Sequence, residues 1–196
     1  MDMHRVGGRG LLALAAISVG VAVAAPLYDR PGGPALLAEL NHPVLLAALA
    51  VLCLVGAALL HARHPDIRKA AGLALAGVAV LGVLAVPAYE LVSDPFPDRE
   101  FDVPAPDGSH RRLVVEQTSA LTDPVWRIYV DAGPFPATRR WPVAQYAAPA
   151  PGAAYPKGVL EATWPDATHI TLIDLDHTPH TLRIARDGRP VDELGW

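Results

Sequence analysis

The chain has 196 residues, of which 52% are hydrophobic and 18% are charged, and its formal net charge is −4. This composition is too apolar for an ordinary soluble domain and indicates membrane segments. Residues 94–196 hold fifteen acidic and ten basic residues, which argues against nucleic acid as a partner. The single cysteine, Cys53, excludes an intrachain disulfide and a cysteine-based zinc site.

Three uncharged apolar runs occupy residues 10–28, 43–60 and 70–89. They are 19, 18 and 20 residues long, and a helix of about 20 residues crosses a hydrocarbon core of about 30 Å. Because backbone groups in lipid must hydrogen-bond internally, each run is predicted to be a transmembrane helix. Residues 1–93 are therefore predicted to form a three-helix membrane anchor.

Lysine and arginine in the short loops set the predicted orientation. The N-terminal tail holds two of them, the loop after the second run holds three, and the loop after the first run holds only Arg30. The N-terminus is therefore predicted to be cytoplasmic, and three crossings of the cell membrane place residues 94–196 outside the cytoplasm. The first run also resembles a secretory signal peptide that ends at "AVAAP", but its length favours a retained helix.

Beyond residue 93, turn-forming residues end the helical pattern and β signals dominate. Residues 94–196 are predicted to form a small antiparallel sheet or sandwich, so that the fold class is α+β. "DPVWRIYVD" alternates, with Trp126, Ile128 and Val130 on one face, and "PDG" at 106–108 and "RDG" at 186–188 are predicted turns. The predicted strands cover residues 99–104, 111–118, 125–131, 158–164, 168–175 and 180–186.

A short sequence repeat occurs in this part of the chain. "PDGSHRRLVV" at 106–115 is similar to "PDATHITLID" at 165–174, and in each copy a turn leads into a strand. The pattern resembles a β-propeller blade, although two copies cannot close a propeller. Together with "DPVWRIYV", it also resembles bacterial multi-pass membrane proteins with a β-rich extracytoplasmic domain. That resemblance covers mainly residues 100–184 and implies no activity.

Residues 132–157 contain six prolines and four aromatic residues and are predicted to be a long loop. Such loops are usually functional or disordered, and exposed aromatic and arginine side chains are typical of a contact surface. Alternatively, the aromatic residues fold back and cover the sheet. The candidate partner-binding residues are Phe135, Arg139, Arg140, Trp141, Tyr146 and Tyr155.

The stretch "IDLDHTPHTLRI" at 173–184 holds two aspartates and two histidines within seven positions. If it is a hairpin that turns at His177 and Thr178, Ile173 lies opposite Leu182, and His180 points away from both aspartates. A polar turn is then the expected structure. The alternative is a metal site formed by Asp174, His177 and His180, with His110 or His169 approaching from another strand.

The sequence contains no nucleophile elbow, P-loop or G-x-G-x-x-G motif, and it indicates no enzymatic step and no cofactor. It predicts an integral membrane protein that presents its outer domain to another membrane or envelope protein, as an accessory subunit or a sensor. The alternative function is a metal-dependent hydrolase with its site in the outer domain.

Overall fold

The computed structural model describes residues 3–62, 64–93, 97–118, 124–147 and 158–192. The fold is α+β, with helices in the N-terminal part followed by antiparallel sheets. The chain divides into a helical unit, Met1–Tyr28 with Glu39–Tyr89, and a β-unit, Asp29–Ala38 with Glu90–Trp196. The β-unit thus includes a segment from the first interhelical loop, which the sequence analysis counts with the anchor.

The described helices are α1 (Met3–Tyr28), α2 (Ala35–Glu39), α3 (Pro43–His61) and α4 (Pro65–Ser93). Small residues allow α1 and α3 to approach closely. A Cβ atom added at Gly56 would lie 3.0 Å from Cδ1 of Leu11, and Ser18 and Cys53 are buried. The Ser18 hydroxyl donates to the carbonyl oxygen of Leu14 at 2.9 Å, so this polar group is satisfied within its own helix.

Two helices are long and apolar enough to cross a membrane, α1 from Val6 to Tyr28 and α3. This is weak evidence alone, because a core helix or a signal sequence can be as apolar. However, only 17% of the apolar 18-residue window of each helix is buried, and large apolar side chains such as Ile17 and Leu54 are exposed. Apolar side chains exposed in this number are more favourable in contact with lipid than with water. In α4, the side chains of residues 81–88 lie outside the described part of the chain, so the third crossing stays a prediction.

The described strands are β1 (Gly33–Pro34), β2 (Asp98–Pro104), β3 (Arg111–Thr118), β4 (Val125–Ala132), β5 (Arg139–Ala147), β6 (Val159–Asp166), β7 (His169–Asp174) and β8 (Pro179–Arg183). They form a five-stranded sheet in the order β1-β5-β4-β3-β2 and a three-stranded sheet in the order β6-β7-β8. All neighbouring strands are antiparallel. Six of the strands match the predicted ones, whereas β1 and β5 were not predicted.

Strand β5 corrects the prediction that residues 132–157 form one loop. Pro142 lies opposite Tyr129, next to an irregularity in the β4–β5 register, and β1 pairs with β5 only at Arg139 and Arg140. The missing N–H of Pro142 therefore interrupts no bond to β1. Prolines are tolerated in strands at positions of this kind.

The same irregularity hides β5 from pattern analysis. Tyr146 lies opposite Trp126 on the core side, but beyond the register shift it is Trp141 that lies opposite Val130. An even-numbered residue therefore faces the core at one end of the strand and an odd-numbered residue at the other. A bulge that changes the phase in this way removes the period of two that identifies a strand in a sequence.

Strand β1 comes from the loop between α1 and α3. Gly33–Pro34 lies opposite Arg139 and Arg140, and the N–H of Gly32 donates to the carbonyl oxygen of Arg140 at 2.9 Å. The loop between two apolar helices is therefore an edge strand of the β-unit.

One hydrophobic cluster takes residues from both sheets. The predicted core face of β4 is confirmed, since Trp126, Ile128 and Val130 are all buried. A sandwich arrangement of the sheets stays a prediction. The residues that contribute from the three-stranded sheet include Ala162, Trp164, Ile170, Leu172 and Leu182, and Ile184 joins them from the segment after β8.

Candidate functional site

The candidate partner-binding residues do not share one surface. Tyr155 lies outside the described residues. The others differ in exposure: Phe135 and Arg139 are exposed, Trp141 is half-buried, and Arg140 and Tyr146 are buried. The alternative in which aromatic residues cover the sheet describes Trp141 and Tyr146 better than the contact surface does.

Arg140 is held inside the β-unit by a buried ion-pair network. Its Nε and Nη2 atoms donate to Oδ1 and Oδ2 of Asp131, both at 2.8 Å, and Nη1 lies 3.5 Å from Oε1 of Glu116. The guanidinium lies over the ring of Tyr129, 4.9 Å from its centroid. Only 8% of the Arg140 side chain is exposed, and its charge is paired with carboxylates of β3 and β4 inside the β-unit.

Trp141 packs against two glycines of the β-unit. A Cβ atom at Gly32 would lie 2.5 Å from Cη2 of the ring, and one at Gly188 would lie 3.1 Å from Cδ1. Both glycines have positive φ, 74° and 89°, a region that other residues avoid. The indole N–H donates to the carbonyl oxygen of Asp187 at 2.9 Å. Trp141 therefore packs the first interhelical loop and the turn at 186–188 against the five-stranded sheet.

The "IDLDHTPHTLRI" stretch is a hairpin, but its register differs from the predicted one by three residues. Leu172 lies opposite His180, and the N–H of Asp174 donates to the carbonyl oxygen of Thr178 at 3.0 Å. The turn has three residues, and the last, His177, has a φ of 64°. Hairpin loops of three residues commonly end in this left-handed conformation.

This register corrects the predicted direction of the acidic and histidine side chains. A shift by an odd number of residues exchanges the two faces of a strand. Asp174 is therefore buried on the core side with Ile170 and Leu172, and Ile173, which was predicted to lie opposite Leu182, is on the other face. The prediction that His180 points away from Asp174 is wrong.

Asp174, His180 and Tyr146 form a polar cluster at the edge of the core. Nε2 of His180 lies 2.8 Å from Oδ2 of Asp174, and the two side chains are 26% and 12% exposed. Oη of Tyr146 and Oδ1 of Asp174 are sealed from solvent. Burial raises the pKa of Tyr146, and the nearby carboxylate of Asp174 raises it further, so its hydroxyl stays protonated. The cluster links β5 to β7 and β8.

A histidine oriented by a buried carboxylate is a pair that general-base catalysis also uses, but a metal site needs further ligands. Nδ1 of His169 lies 2.8 Å from Oδ2 of Asp166, in the turn before β7, and His177 is exposed. Across residues 3–192, apart from the gaps in the description, no group of three or more His, Cys, Asp or Glu side chains could hold a metal. The structure thus brings together two of the four candidate ligands.

The repeated "PDGSH" and "PDATH" segments form the same kind of turn. Asp107 accepts a hydrogen bond from the N–H of Ser109 at 3.1 Å, and Asp166 accepts one from the N–H of Thr168 at 2.6 Å. Hydrogen bonds from Ser109 lower the pKa of Asp107 to about 2, and those from Thr168 lower the pKa of Asp166 to about 2. The interpretation of the repeat as a turn pattern is confirmed, and these aspartates have structural roles.

Arg111 connects these turns, and it is not among the candidate site residues predicted from the sequence. Nη2 donates to Oδ2 of Asp107 at 2.7 Å and to the carbonyl oxygen of Ala167 at 2.8 Å. Nη1 donates to the carbonyl oxygen of Ala185 at 3.2 Å. The adjacent Arg112 is exposed. No sequence signal separates these two arginines, because only the turns that surround Arg111 give it partners.

No protein-family model matches the chain, and no similar curated protein or solved structure was found.

Proposed function

We propose that the protein is a membrane-anchored interaction protein. Its helices hold the β-unit outside the cytoplasm, where the β-unit contacts another membrane or envelope component as an accessory subunit or a sensor. The pairing of β1 with β5 carries the proposal, because it builds a loop between two apolar helices into the sheet of the β-unit.

This pairing limits the number of membrane crossings. Gly33–Pro34 and Arg139 must lie on the same side of the membrane, so the chain between them crosses an even number of times. If α3 crosses, then α4 must cross as well. The uncharged run 70–89 lies within α4 and is long enough to do so. The pairing therefore supports three crossings in total.

The positions of tyrosines support the same orientation. Tyr28 ends α1, and Tyr89 lies near the end of α4. With three crossings, both tyrosines lie at the membrane surface on the side of the β-unit. Tyrosine is enriched at such interfaces, and the basic Arg68 and Lys69 at the other end of α4 favour the cytoplasmic side.

A metal-dependent hydrolase is the second candidate function, and the 2.8 Å contact between Asp174 and His180 favours it. His180 would act as a ligand or as a base. The binding role ranks first because, among the described residues, these two have no third metal-binding side chain beside them.

A disulfide test examines both the pairing and the location. In the full-length Cys53→Ala protein, Pro34→Cys is combined with Arg139→Cys. Opposed residues of antiparallel strands have Cα atoms about 4.5–5.5 Å apart, which fits a disulfide. The bond should form in cells without added oxidant, because extracytoplasmic compartments are oxidising. A protease site after residue 63 then yields two fragments that separate only under reduction.

The control pair is Pro34→Cys with Thr181→Cys, since Thr181 belongs to the three-stranded sheet, and it should not crosslink. Reporters that are active only outside the cytoplasm should be active at residues 36 and 196 and silent at residue 64. An active reporter at 64 would contradict the orientation. Failure of the first pair to crosslink even with added oxidant would contradict the pairing.

A further inference from the structure

We propose that the tip of the β4–β5 hairpin, residues 133–139, inserts into the phospholipid headgroup region of the membrane that holds the helices. This hairpin tip would be the surface through which the β-unit contacts lipid. The inference rests on the proposed membrane anchoring and assigns a ligand, the phospholipid surface, to two of the exposed candidate residues.

The hairpin tip exposes the aromatic ring of Phe135 from a loop whose two ends are hydrogen-bonded to each other. Residues 133–138 read "GPFPAT" and carry no charge, and Phe135 is 79% exposed. The hydroxyl of Thr138 donates to the carbonyl oxygen of Gly133 at 3.2 Å, and the N–H of Gly133 donates to the carbonyl oxygen of His110 at 2.8 Å. A single exposed ring is common on protein surfaces, so its surroundings must identify what covers it.

The chain beside the hairpin tip comes directly from an apolar helix. The N–H of Ala35 donates to the carbonyl oxygen of Thr138, and the N–H of Gly32 donates to that of Arg140, both at 2.9 Å. Gly32 follows Tyr28, the last residue of α1, by four residues, which can span at most about 14 Å. The headgroup region is about 5–8 Å thick on each side of the hydrocarbon core. The base of the hairpin tip is therefore bonded to chain that has just left the hydrocarbon region.

The charges around the hairpin tip suit phospholipid. Arg139 is exposed and follows Phe135 by four residues, and a guanidinium binds phosphate oxygens in pairs. Asp131, the nearest carboxylate before the hairpin tip, is buried and paired with Arg140, and no acidic residue occurs from 132 to 160. A segment that exposes both an aromatic ring and a basic side chain suits the boundary of headgroups and acyl chains, about 5–10 Å deep.

Depth-dependent quenching tests the proposal on the full-length Cys53→Ala protein in phospholipid vesicles. Phe135→Cys carries an environment-sensitive fluorophore, and the control label is on Thr181→Cys, an exposed position of the three-stranded sheet. Lipids with a quencher near the headgroup should quench the label at 135 several-fold more than the label at 181. Vesicles with a deep quencher should show a smaller difference. Replacing Arg139 with Glu should reduce the quenching at 135.

Flotation with vesicles is measured on the same samples. Protein that does not float with the vesicles would overturn the membrane anchoring and this inference together. Protein that floats but shows equal quenching at 135 and 181 would overturn only the lipid contact. A label at 135 that is shielded in native membranes but unquenched in pure lipid would overturn the lipid contact in favour of a protein partner.

Discussion

Nε2 of His180 lies 2.8 Å from Oδ2 of Asp174, on the core side of a hairpin in which Leu172 is opposite His180. A carboxylate that is only 12% exposed requires hydrogen-bond donors, because burial of an unpartnered charge is unfavourable. The pair therefore has a structural role whether or not it also has a chemical one.

Replacing His180 with Leu is expected to destabilise the protein by about 2 kcal/mol, because hydrogen bonds to charged groups contribute about 1.5–3 kcal/mol. Asp174→Asn should have a smaller effect, since the amide oxygen remains an acceptor for His180. Chemical unfolding of the full-length protein in detergent, followed by tryptophan fluorescence, measures both variants. Thr181→Ala, at the exposed position directly after His180 in β8, is the control and should change stability by less than about 0.5 kcal/mol. Equal effects of His180→Leu and Thr181→Ala would contradict the role of the pair.

The protein is expected to fold without a metal ion bound to Asp174 and His180. The melting temperature of the purified protein should then be the same with and without a chelator, because a metal that binds only the folded state would raise it. A drop of several degrees that is absent in His180→Leu would instead favour the hydrolase.

Substitutions of Tyr146 and Phe135 should have very different effects on folding stability, although both residues belong to the same predicted loop. Tyr146 is 1% exposed and Phe135 is 79% exposed. Tyr146→Ala should cost about 3–5 kcal/mol, as for other large aromatic residues of a core, and Tyr146→Phe, which keeps the buried ring, should cost much less. Phe135→Ala should change folding stability by less than about 0.5 kcal/mol. Comparable losses at both positions would place Phe135 in the core.

Asp131 and Arg140 should be strongly coupled. Removing either side chain leaves the other charge buried, which costs about 3–5 kcal/mol. The double variant Asp131→Ala/Arg140→Ala should therefore lose less stability than the two single variants together, by about 1–3 kcal/mol. A double-mutant cycle in urea measures this coupling, and additive losses would show that the two charges do not depend on each other.

Stability should fall in acid through the aspartates of the turns. Asp107 and Asp166 have pKa values lowered from 3.8 to about 2, and hydrogen bonds from Thr178 lower the pKa of Asp176 as well. A lowered folded-state pKa stabilises the protein above the ordinary pKa, and this contribution is lost as the pH falls from about 4 towards 2. The combined variant Asp107→Asn/Asp166→Asn should show a shallower loss over this range, because an asparagine oxygen accepts the turn hydrogen bonds at any pH. An unchanged pH profile would contradict the assignment.

Local patterns predicted most of the elements. Alternation gave β4 with its buried Trp126, Ile128 and Val130, and the turn residues of the repeat marked the starts of β3 and β7. The apolar runs gave α1 and α3. In each case the signal lies within one element, where periodicity or a turn residue is readable from neighbouring positions.

The missed features depend on partners that are distant in sequence. Strand β5 is concealed by a bulge beside Pro142, and β1 is a strand only because the edge of β5 receives it. Whether Asp174 and His180 share a face depends on whether the hairpin loop has two residues or three. A shift of the strand register by an odd number of residues moves every side chain of a strand to the other face.

The sequence by itself determined the division into an apolar helical part and a polar β-rich part, because hydrophobicity and its period are properties of the local chain. The tertiary structure decided which side chains meet. It paired Arg140 with Asp131, placed Tyr146 near Asp174 and packed Trp141 against Gly32, and it left Phe135 and Arg139 exposed. Burial follows from strand register and edge pairing, and both are fixed by contacts between segments far apart in the chain.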